Sequence, residues 1–492
     1  MRFLIQKSLF GLAVAALIVG CGTDISGNSS EDPDPGSADF STFVAIGDSL
    51  TAGYKDSALY RDGQKDSFPA ILAQQFALAG GGAFTQPLMP VSATGSLTIA
   101  ANPIPGTNDR LVLVPTGDPD RPAAPVAITP AVATEVGVPP LVGPFNNLGV
   151  PAAKSFHVLA ANYGDPVGLG MMPPTANPFF VRFAGAVANS IEDDALAQAP
   201  TFFTLWLGNN DVLLYAIDGA DPTVSNESIT PPATFAGAFN ILVGNLTAAP
   251  ATRGVLINIP DVRSIPYFNT VPYNAIPLDQ ATADFINTQF TLYNLGVQSR
   301  VGMEITQVEA DQRFISFSEG QNPVVILDKD LTDLTGVLGA AAVSMRQATP
   351  NDLVVLPASS KIGEDDGMGG TWGVSAPLLD RDVLTENEAD EVEVARLAYN
   401  VTIKAAADAD PNLAFFDVAG FLIELNENGF SYGSGGVSST FAQGGAFSLD
   451  GIHPTARGYA VIANQIMQVI ENAFGANLPP VDPNQYTTVF YQ

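Results

Sequence analysis

The chain has 492 residues, enough for about two or three domains of ordinary size or for one α/β core with long insertions. Its 50 acidic and 20 basic residues give a net charge of −30, which excludes nucleic acid as an expected partner. Two histidines and one cysteine cannot supply a zinc site of the usual kind, so we expect no metal and no other cofactor.

The first 20 residues have the pattern of a secretory signal. Arg2 and Lys7 give a positively charged start, and residues 9–20 are almost wholly apolar. This run is shorter than the roughly 20 apolar residues that a membrane-spanning helix needs. We therefore predict a removable signal peptide over residues 1–20.

The only cysteine of the chain, Cys21, follows this run directly. Residues 17–21 (Leu-Ile-Val-Gly-Cys) resemble a bacterial lipobox, which implies cleavage before Cys21 and a lipid on its sulfur and new amino group. The alternative is a free or buried thiol, since a single cysteine cannot form an intramolecular disulfide. Because Gly22 rather than aspartate comes next, the resemblance implies a lipid anchor in the bacterial outer membrane.

Residues 21–38 are built from Gly, Ser, Asp, Pro and Asn and contain little that can be buried. This composition is typical of a flexible tether. We expect one folded domain over residues 39–492.

Short, continuous apolar runs predict buried strands, and longer runs with helical periodicity predict helices between them. The predicted strands are 42–46, 202–207, 255–259 and 413–418; the predicted helices include 68–78, 388–407 and 455–474. Strands that are apolar throughout are typical of a parallel sheet covered by helices on both faces. The pattern predicts an α/β sandwich.

Polar residues with catalytic potential follow these strands. Ser49 comes after the first strand, residues 208–211 after the next predicted run, and residues 260–263 after the third, while Asp450 and His453 lie beyond the last. Ligands of open parallel sheets bind at the carboxyl ends of the strands. We therefore expect these segments to meet in one crevice.

Three motifs carry a resemblance to a known family. They are Gly47-Asp48-Ser49-Leu50, Gly208-Asn209-Asn210-Asp211 and Asp450-Gly451-Ile452-His453. In this order they resemble the SGNH or GDSL-type esterases and lipases. The resemblance implies a three-layer α/β/α sandwich with a parallel, flavodoxin-like sheet.

The resemblance also implies the role of each site residue. Ser49 would be the nucleophile, His453 the general base and acid, and Asp450 the carboxylate that orients the imidazole. The side-chain amide of Asn210 and the backbone N–H of Ser49 would stabilise the oxyanion. A histidine suits this task because its ordinary pKa, near 6.5, lets it accept a proton at neutral pH.

The third oxyanion donor is less well defined by the motifs. Family members usually have Asn-x-x-x-x-Gly after the second strand, and counting from Asn147 places Ala152 at the glycine position. Gly149 is the fallback for this role. An alanine keeps the backbone N–H, although a positive φ angle there would cost about 1 kcal/mol.

The remaining candidates have structural interpretations. His157 is expected to pack or to cap a helix rather than to act as a second base. Asp48 and Asp211 are expected to brace the loops that carry the catalytic residues.

Two long insertions, residues 83–145 and 262–385, distinguish the chain from a minimal member of the family. The second includes an apolar helix candidate at residues 331–345. If the insertions emerge at the active edge they would form walls or a lid, and their apolar character would favour an acyl chain.

The resemblance implies serine-dependent hydrolysis of acyl esters by a lipid-anchored esterase or lipase. Carbohydrate acetylesterase and acyltransferase activities occur on the same core, and a catalytically silent surface-binding lipoprotein is a further alternative. The sequence leaves the natural substrate, the chain-length preference, calcium binding and the oligomeric state open.

Overall fold

The structure is a computed structural model that describes residues 32–117, 123–136, 140–339 and 343–492. The predicted signal peptide and Cys21 lie outside these residues. Within the described ranges, no helix has both the length and the apolar character needed to cross a membrane.

A five-stranded parallel sheet forms the centre of the fold, which confirms the predicted α/β class. Its strands, in chain order, are β1 (Phe43–Gly47), β2 (Asn147–Gly149), β3 (Phe202–Trp206), β4 (Arg253–Ile257) and β5 (Leu413–Phe416). Their order across the sheet is β2-β1-β3-β4-β5, and every neighbouring pair is parallel.

The central strands are buried because their side chains are apolar on both faces of the sheet. Every residue of β1 and of β3 is buried. In the register of the sheet Ala45 lies opposite both Asn147 and Thr204. The predicted strands at 42–46, 202–207, 255–259 and 413–418 are confirmed to within two residues at each end.

Helices pack against the sheet in two groups, Phe68–Leu78 with Ala456–Phe474 and Pro232–Leu246 with Glu386–Ala409. The helices that position the site or cover the sheet are α1 (Ser49–Ala52), α2 (Phe68–Leu78), α3 (Asn210–Ala216), α4 (Pro232–Leu246), α5 (Gln280–Gln298), α6 (Glu386–Ala409), α7 (Val418–Asn428) and α8 (Ala456–Phe474).

Local side-chain chemistry sets several helix starts. The side chain of Thr455 accepts a hydrogen bond from the Gly458 N–H at the start of α8. The Glu388 side chain accepts a hydrogen bond from the Thr385 N–H at 2.9 Å at the start of α6. The predicted helices at 68–78, 388–407 and 455–474 are confirmed.

Short helices connect these elements, at Arg61–Lys65, Pro178–Val181, Ile191–Leu196, Pro266–Asn269, Gln307–Gln312 and Thr335–Leu338. Single 3₁₀ turns occur at Ser155–Leu159, Pro166–Gly170, Val262–Ser264, Leu356–Ser360, Asp380–Asp382 and Pro483–Gln485.

Both insertions contain small sheets of their own. In the first, Leu111–Pro115 pairs with Ala123–Ala127, and Leu97–Ile99 pairs with Asn102–Pro103 and Thr134–Glu135. In the second, the pairs are Ile276–Leu278 with Gly320–Asn322, Val325–Leu327 with Met345–Gln347, and Leu353–Val354 with Val383–Leu384. A last hairpin, Phe430–Tyr432 with Gly435–Val437, follows α7.

The predicted helix at residues 331–345 is wrong. Among the described residues of this stretch only Thr335–Leu338 is helical, and Met345 already belongs to a strand. Gly339 adopts a φ of +89° directly after the helical turn, a conformation that glycine adopts without strain and that ends the helix.

The predicted tether is also too long at its carboxyl end. Asp34 forms an antiparallel bridge with Asn477, and the Ser37 N–H donates to the Phe474 carbonyl at 2.8 Å. Ala38 is buried against the core. The folded body therefore begins before residue 39, because residues 34–38 dock at the end of α8.

Candidate active site

Ser49 lies at the tight turn from β1 into α1. Asp48 caps this helix by accepting the Leu50 N–H at 3.0 Å. Glycine is needed at position 47, because a β-carbon there would lie 2.3 Å from both the Thr51 hydroxyl and the Trp206 carbonyl. The turn projects Ser49 from the carboxyl end of the strand and leaves 9% of the residue exposed.

The two ends of the chain meet at this serine. The His453 Nε2 lies 2.8 Å from the Ser49 Oγ, and the His453 Nδ1 lies 2.9 Å from Asp450 Oδ2. These distances form an unbroken hydrogen-bonded series from hydroxyl to imidazole to carboxylate. The structure therefore brings together the three residues that the sequence predicts as a catalytic triad.

The Asp450 carboxylate accepts hydrogen bonds at both oxygens. Oδ1 accepts from the Ser448 hydroxyl at 3.0 Å and from the backbone N–H groups of Ile452 and His453, both at 2.9 Å. Oδ2 accepts from the Ser57 N–H at 2.8 Å as well as from the imidazole. Burial alone raises the pKa of Asp450, but attraction to His453 and these hydrogen bonds lower that pKa to about 2.

The loop that carries Asp450 and His453 is held in a closed turn. The Ser448 N–H donates to the His453 carbonyl at 2.8 Å, and the Tyr267 N–H donates to the Gly451 carbonyl at 2.9 Å. The Tyr54 ring packs on the imidazole, with ring centres 4.7 Å apart. These contacts fix the imidazole plane relative to the serine.

Ser57, Ser448 and Tyr54 are supporting residues that the sequence reasoning missed. Ser57 reaches Asp450 across 393 positions of the chain. A short motif carries no signal for such a contact, although the Ser-Leu-Asp run before His453 places Ser448 close to the carboxylate.

Asn210 lines the same cleft as Ser49 and His453. Its side-chain amide donates one hydrogen bond to the Ala153 carbonyl at 3.0 Å. An amide carries two N–H groups, so one remains for an oxyanion. The Ser49 N–H is also available, because the first residue of a helix has no intrahelical acceptor.

Ala152 adopts a φ of +63° on the loop after β2, where its side chain is exposed. No acceptor for its N–H is found among the described residues. The Gly149 N–H, in contrast, donates to Asn147 Oδ1 at 2.9 Å, and a β-carbon at Gly149 would lie 2.2 Å from the Ala52 nitrogen. The fallback assignment of an oxyanion donor to Gly149 is therefore wrong, because its N–H is already used in a packed turn.

Two buried aspartates brace the loops around the site. Asp48 Oδ2 accepts from the Asn209 side chain at 2.8 Å, and burial raises the pKa of Asp48 to about 6. Asp211 accepts from the Ser155 N–H at 2.8 Å and from the Ser155 hydroxyl at 2.6 Å. Burial also raises the pKa of Asp211. Asp211 thus ties the loop of Ala152 to α3.

His157 packs rather than facing the nucleophile. Its Nδ1 accepts the Lys154 N–H at 3.1 Å, and its ring stacks on Tyr163 with centres 4.9 Å apart. Burial and the nearby Lys154 charge lower the pKa of His157 to about 4. It remains neutral at pH 7 and supports the loop after Ala152.

The triad opens into a cleft of about 460 Å³. Ile259, Pro260 and Asp261 follow β4 and form one wall, which Val262 and Ile265 from the start of the second insertion extend. Over the described residues, no group of three or more His, Cys, Asp or Glu side chains is arranged to hold a metal ion.

Comparisons with known proteins found no match to this chain. No protein-family model matches the chain, and no match is found among curated proteins or among solved structures. The interpretation of the site therefore depends on its own geometry.

Proposed function

We propose that the protein hydrolyses carboxylic esters with Ser49 as the nucleophile, as an esterase or lipase of the SGNH/GDSL type. The observation that carries this proposal is the contact of Ser49, His453 and Asp450 at hydrogen-bonding distances of 2.8 and 2.9 Å. A structural serine gains nothing from an imidazole that is itself held by a buried carboxylate, whereas a nucleophile requires both.

In the first half of the reaction, Ser49 Oγ bonds to the ester carbonyl carbon while its proton passes to His453 Nε2. Negative charge develops on the carbonyl oxygen, where the N–H groups of Ser49, Ala152 and Asn210 stabilise it. One such donor contributes about 3 to 4 kcal/mol to transition-state stabilisation. The carbon–oxygen bond to the alcohol then breaks, and the alcohol leaves with the proton from His453.

In the second half, His453 takes a proton from water as the water oxygen bonds to the acyl carbon. The Ser49 ester bond breaks, Ser49 recovers its proton from His453, and the carboxylic acid departs. Asp450 stays ionised throughout, because its pKa is held near 2. It stabilises the imidazolium that forms in each half.

The fold is a second observation in favour of the proposed family. The strand order β2-β1-β3-β4-β5 is that of a flavodoxin-like doubly wound sheet. The two helix groups, α2 with α8 and α4 with α6, fit the outer layers of an α/β/α sandwich. We also propose that the chain is attached to the bacterial outer membrane through a lipid on Cys21.

The direct test is turnover of p-nitrophenyl esters by the purified full chain and by Ser49→Ala. We expect the substitution to lower kcat/KM by at least about a thousandfold, because the residual rate then comes from binding and oxyanion contacts alone. Ser41→Ala, at an exposed serine before β1, is the control and should keep the parent rate. Equal activity of Ser49→Ala and the parent would overturn the proposal.

A further inference from the structure

An apolar cavity, partly open to solvent, lies beside the catalytic cleft. Trp206 at the end of β3, α7, the last hairpin, the loop before His453 and α8 supply its walls. Apart from Ile265 at the start of the second insertion, the described lining of the cavity comes from the α/β core and not from the two insertions, which the sequence predicts as the source of apolar walls.

The cavity and the catalytic cleft share a boundary. Leu50, Pro260, Ile265 and Ile452 line both spaces. Leu50 directly follows the nucleophile in the chain, and Ile452 directly precedes the general base. The cavity therefore adjoins the cleft at side chains next to the nucleophile and the general base, and an acyl chain held there would have to pass between them.

The chemistry of the walls restricts what the cavity can hold. Its described lining consists of aliphatic, aromatic, proline and glycine residues, and none of them is charged. A sugar or a charged group would lose its hydrogen bonds to water there without replacing them. A hydrocarbon chain binds more favourably with each methylene group that passes from water into the cavity.

We propose that this cavity binds the acyl chain of the substrate, so that the enzyme acts on fatty acyl esters rather than on acetyl esters. This inference rests on the ester hydrolysis proposed above and adds its substrate class. The alcohol part of the ester would remain in the cleft on the side of Asn210 and Val212, which line the cleft but not the cavity.

The test compares kcat/KM on p-nitrophenyl esters from acetate to hexadecanoate. Val437→Phe fills the cavity from the hairpin, and Leu425→Ala enlarges it from α7. Ile423→Trp is the control, because Ile423 lies on the same helix with 52% of its surface exposed. Each rate is divided by the rate on acetate, which makes the profile independent of the fraction of protein that is folded.

We expect the parent to prefer a long acyl chain over acetate. Val437→Phe should lower the ratio of long-chain to acetate kcat/KM by about tenfold or more, since one methylene in an apolar pocket already has an effect of this size. Leu425→Ala should move the optimum to longer chains, and Ile423→Trp should keep the parent profile. Preference of the parent for acetate, or unchanged profiles in both cavity variants, would overturn the inference.

A binding measurement separates failure of this inference from failure of the proposed function. The protein has two tryptophans, so Trp372→Phe leaves Trp206 in the cavity wall as the only one. Dodecanoate should change Trp206 fluorescence saturably in this background, and adding Val437→Phe should abolish the change. If the chain hydrolyses no ester, the proposed function fails, and this titration alone decides whether the cavity holds an acyl chain.

Discussion

Ala152 combines a left-handed backbone with the proposed task of donating an N–H to the oxyanion. At its φ of +63° the β-carbon crowds the backbone, which costs roughly 1–2 kcal/mol relative to an ordinary conformation. Strain of this kind persists where the surrounding structure enforces it, and it often marks functional sites. Here Asp211 holds the loop through Ser155, and Asn177 donates to the Pro151 carbonyl at 2.8 Å.

Ala152→Gly should therefore stabilise the protein by about 0.5–1 kcal/mol, since relief of the strain exceeds the added entropy of the unfolded chain. Urea denaturation followed by circular dichroism measures the change. Ala153→Gly is the matched control, because Ala153 is buried and has no positive φ. It should destabilise the protein by about 1 kcal/mol. A loss of stability in both variants would show that the left-handed conformation carries no strain.

Asp48 is a second residue of the site that lowers the stability of the folded protein. Its pKa is raised from 3.8 to about 6 by burial, so the folded state disfavours the ionised form. The folded protein binds the Asp48 proton more tightly than the unfolded chain does. The stability that this proton provides is therefore present below about pH 4 and is lost as the pH rises through 6.

Asp48→Asn removes this titration. Relative to the parent, the variant should gain stability as the pH rises from 4 to 7, by up to about 3 kcal/mol at 1.36 kcal/mol per pKa unit. Urea unfolding at pH 4, 5, 6 and 7 gives the difference. Asp39→Asn removes the same charge from an exposed position and accounts for the effect of net charge. If the two variants follow the same pH dependence, burial of Asp48 is not its cause.

At the scale of elements, two loops far apart in the chain lock together beneath the triad. The Asp56 N–H donates to the Ser448 hydroxyl at 2.9 Å, and the Leu449 N–H donates to Asp56 Oδ1 at 3.1 Å. Asp56 and Ser57 both have positive φ angles, of 53° and 66°. This bent backbone aims the Ser57 N–H at the Asp450 carboxylate.

Each insertion supports one of these loops. In the first insertion the Leu111 N–H donates to the Asp56 carbonyl at 2.7 Å, and in the second the Tyr267 N–H donates to the Gly451 carbonyl at 2.9 Å. Leu356 of the second insertion also packs close to Gly451. The insertions therefore hold the loops that carry Ser57, Asp450 and His453, and within the described residues only the start of the second insertion reaches the cleft wall.

Ser448 joins the two loops and the carboxylate, so Ser448→Ala should lower kcat by about tenfold with little change in KM. Loss of one hydrogen bond to a charged group costs about 1.5–3 kcal/mol. The remaining donors to the Asp450 carboxylate offset part of this cost. Steady-state kinetics on one ester separates kcat from KM. Ser431→Ala, at an exposed serine of the last hairpin, is the control. A rise in KM at constant kcat would instead place Ser448 in substrate binding.

For the molecule as a whole, the sequence predicted those features that local patterns encode. Buried strands show as apolar runs, and the Ser49 motif lies at a strand end of the parallel sheet, where ligands bind. The His453 motif lies farther from the sheet in the chain, because α7 and the last hairpin separate it from β5. The sequence could not show the Ser57 contact or the docking of residues 34–38 on α8, because their partners lie several hundred positions away. The cavity proposed for the acyl chain likewise lies between α7, α8 and the last hairpin, and no single segment encodes it.

The attachment point of the amino-terminal segment lies far from the site. Residues 34–38 dock at Phe474, the last residue of α8, whereas His453 lies just before its first turn. A helix of 19 residues is about 28 Å long at 1.5 Å per residue. A lipid on Cys21 would therefore hold the domain by the side opposite the catalytic cleft.

Cys21→Ser tests the anchor independently of catalysis. A protein with this substitution should move from the membrane fraction to the soluble fraction after cell lysis, because it lacks the acyl chains that hold it in the bilayer. Its kcat/KM on a soluble ester should match the parent in detergent, since the cleft and the docking point lie at opposite ends of α8. Fractionation with immunoblotting and an esterase assay on each fraction give both quantities. Membrane association equal to that of the parent would contradict the lipid anchor, and a change in kcat/KM would contradict the separation of anchor and cleft.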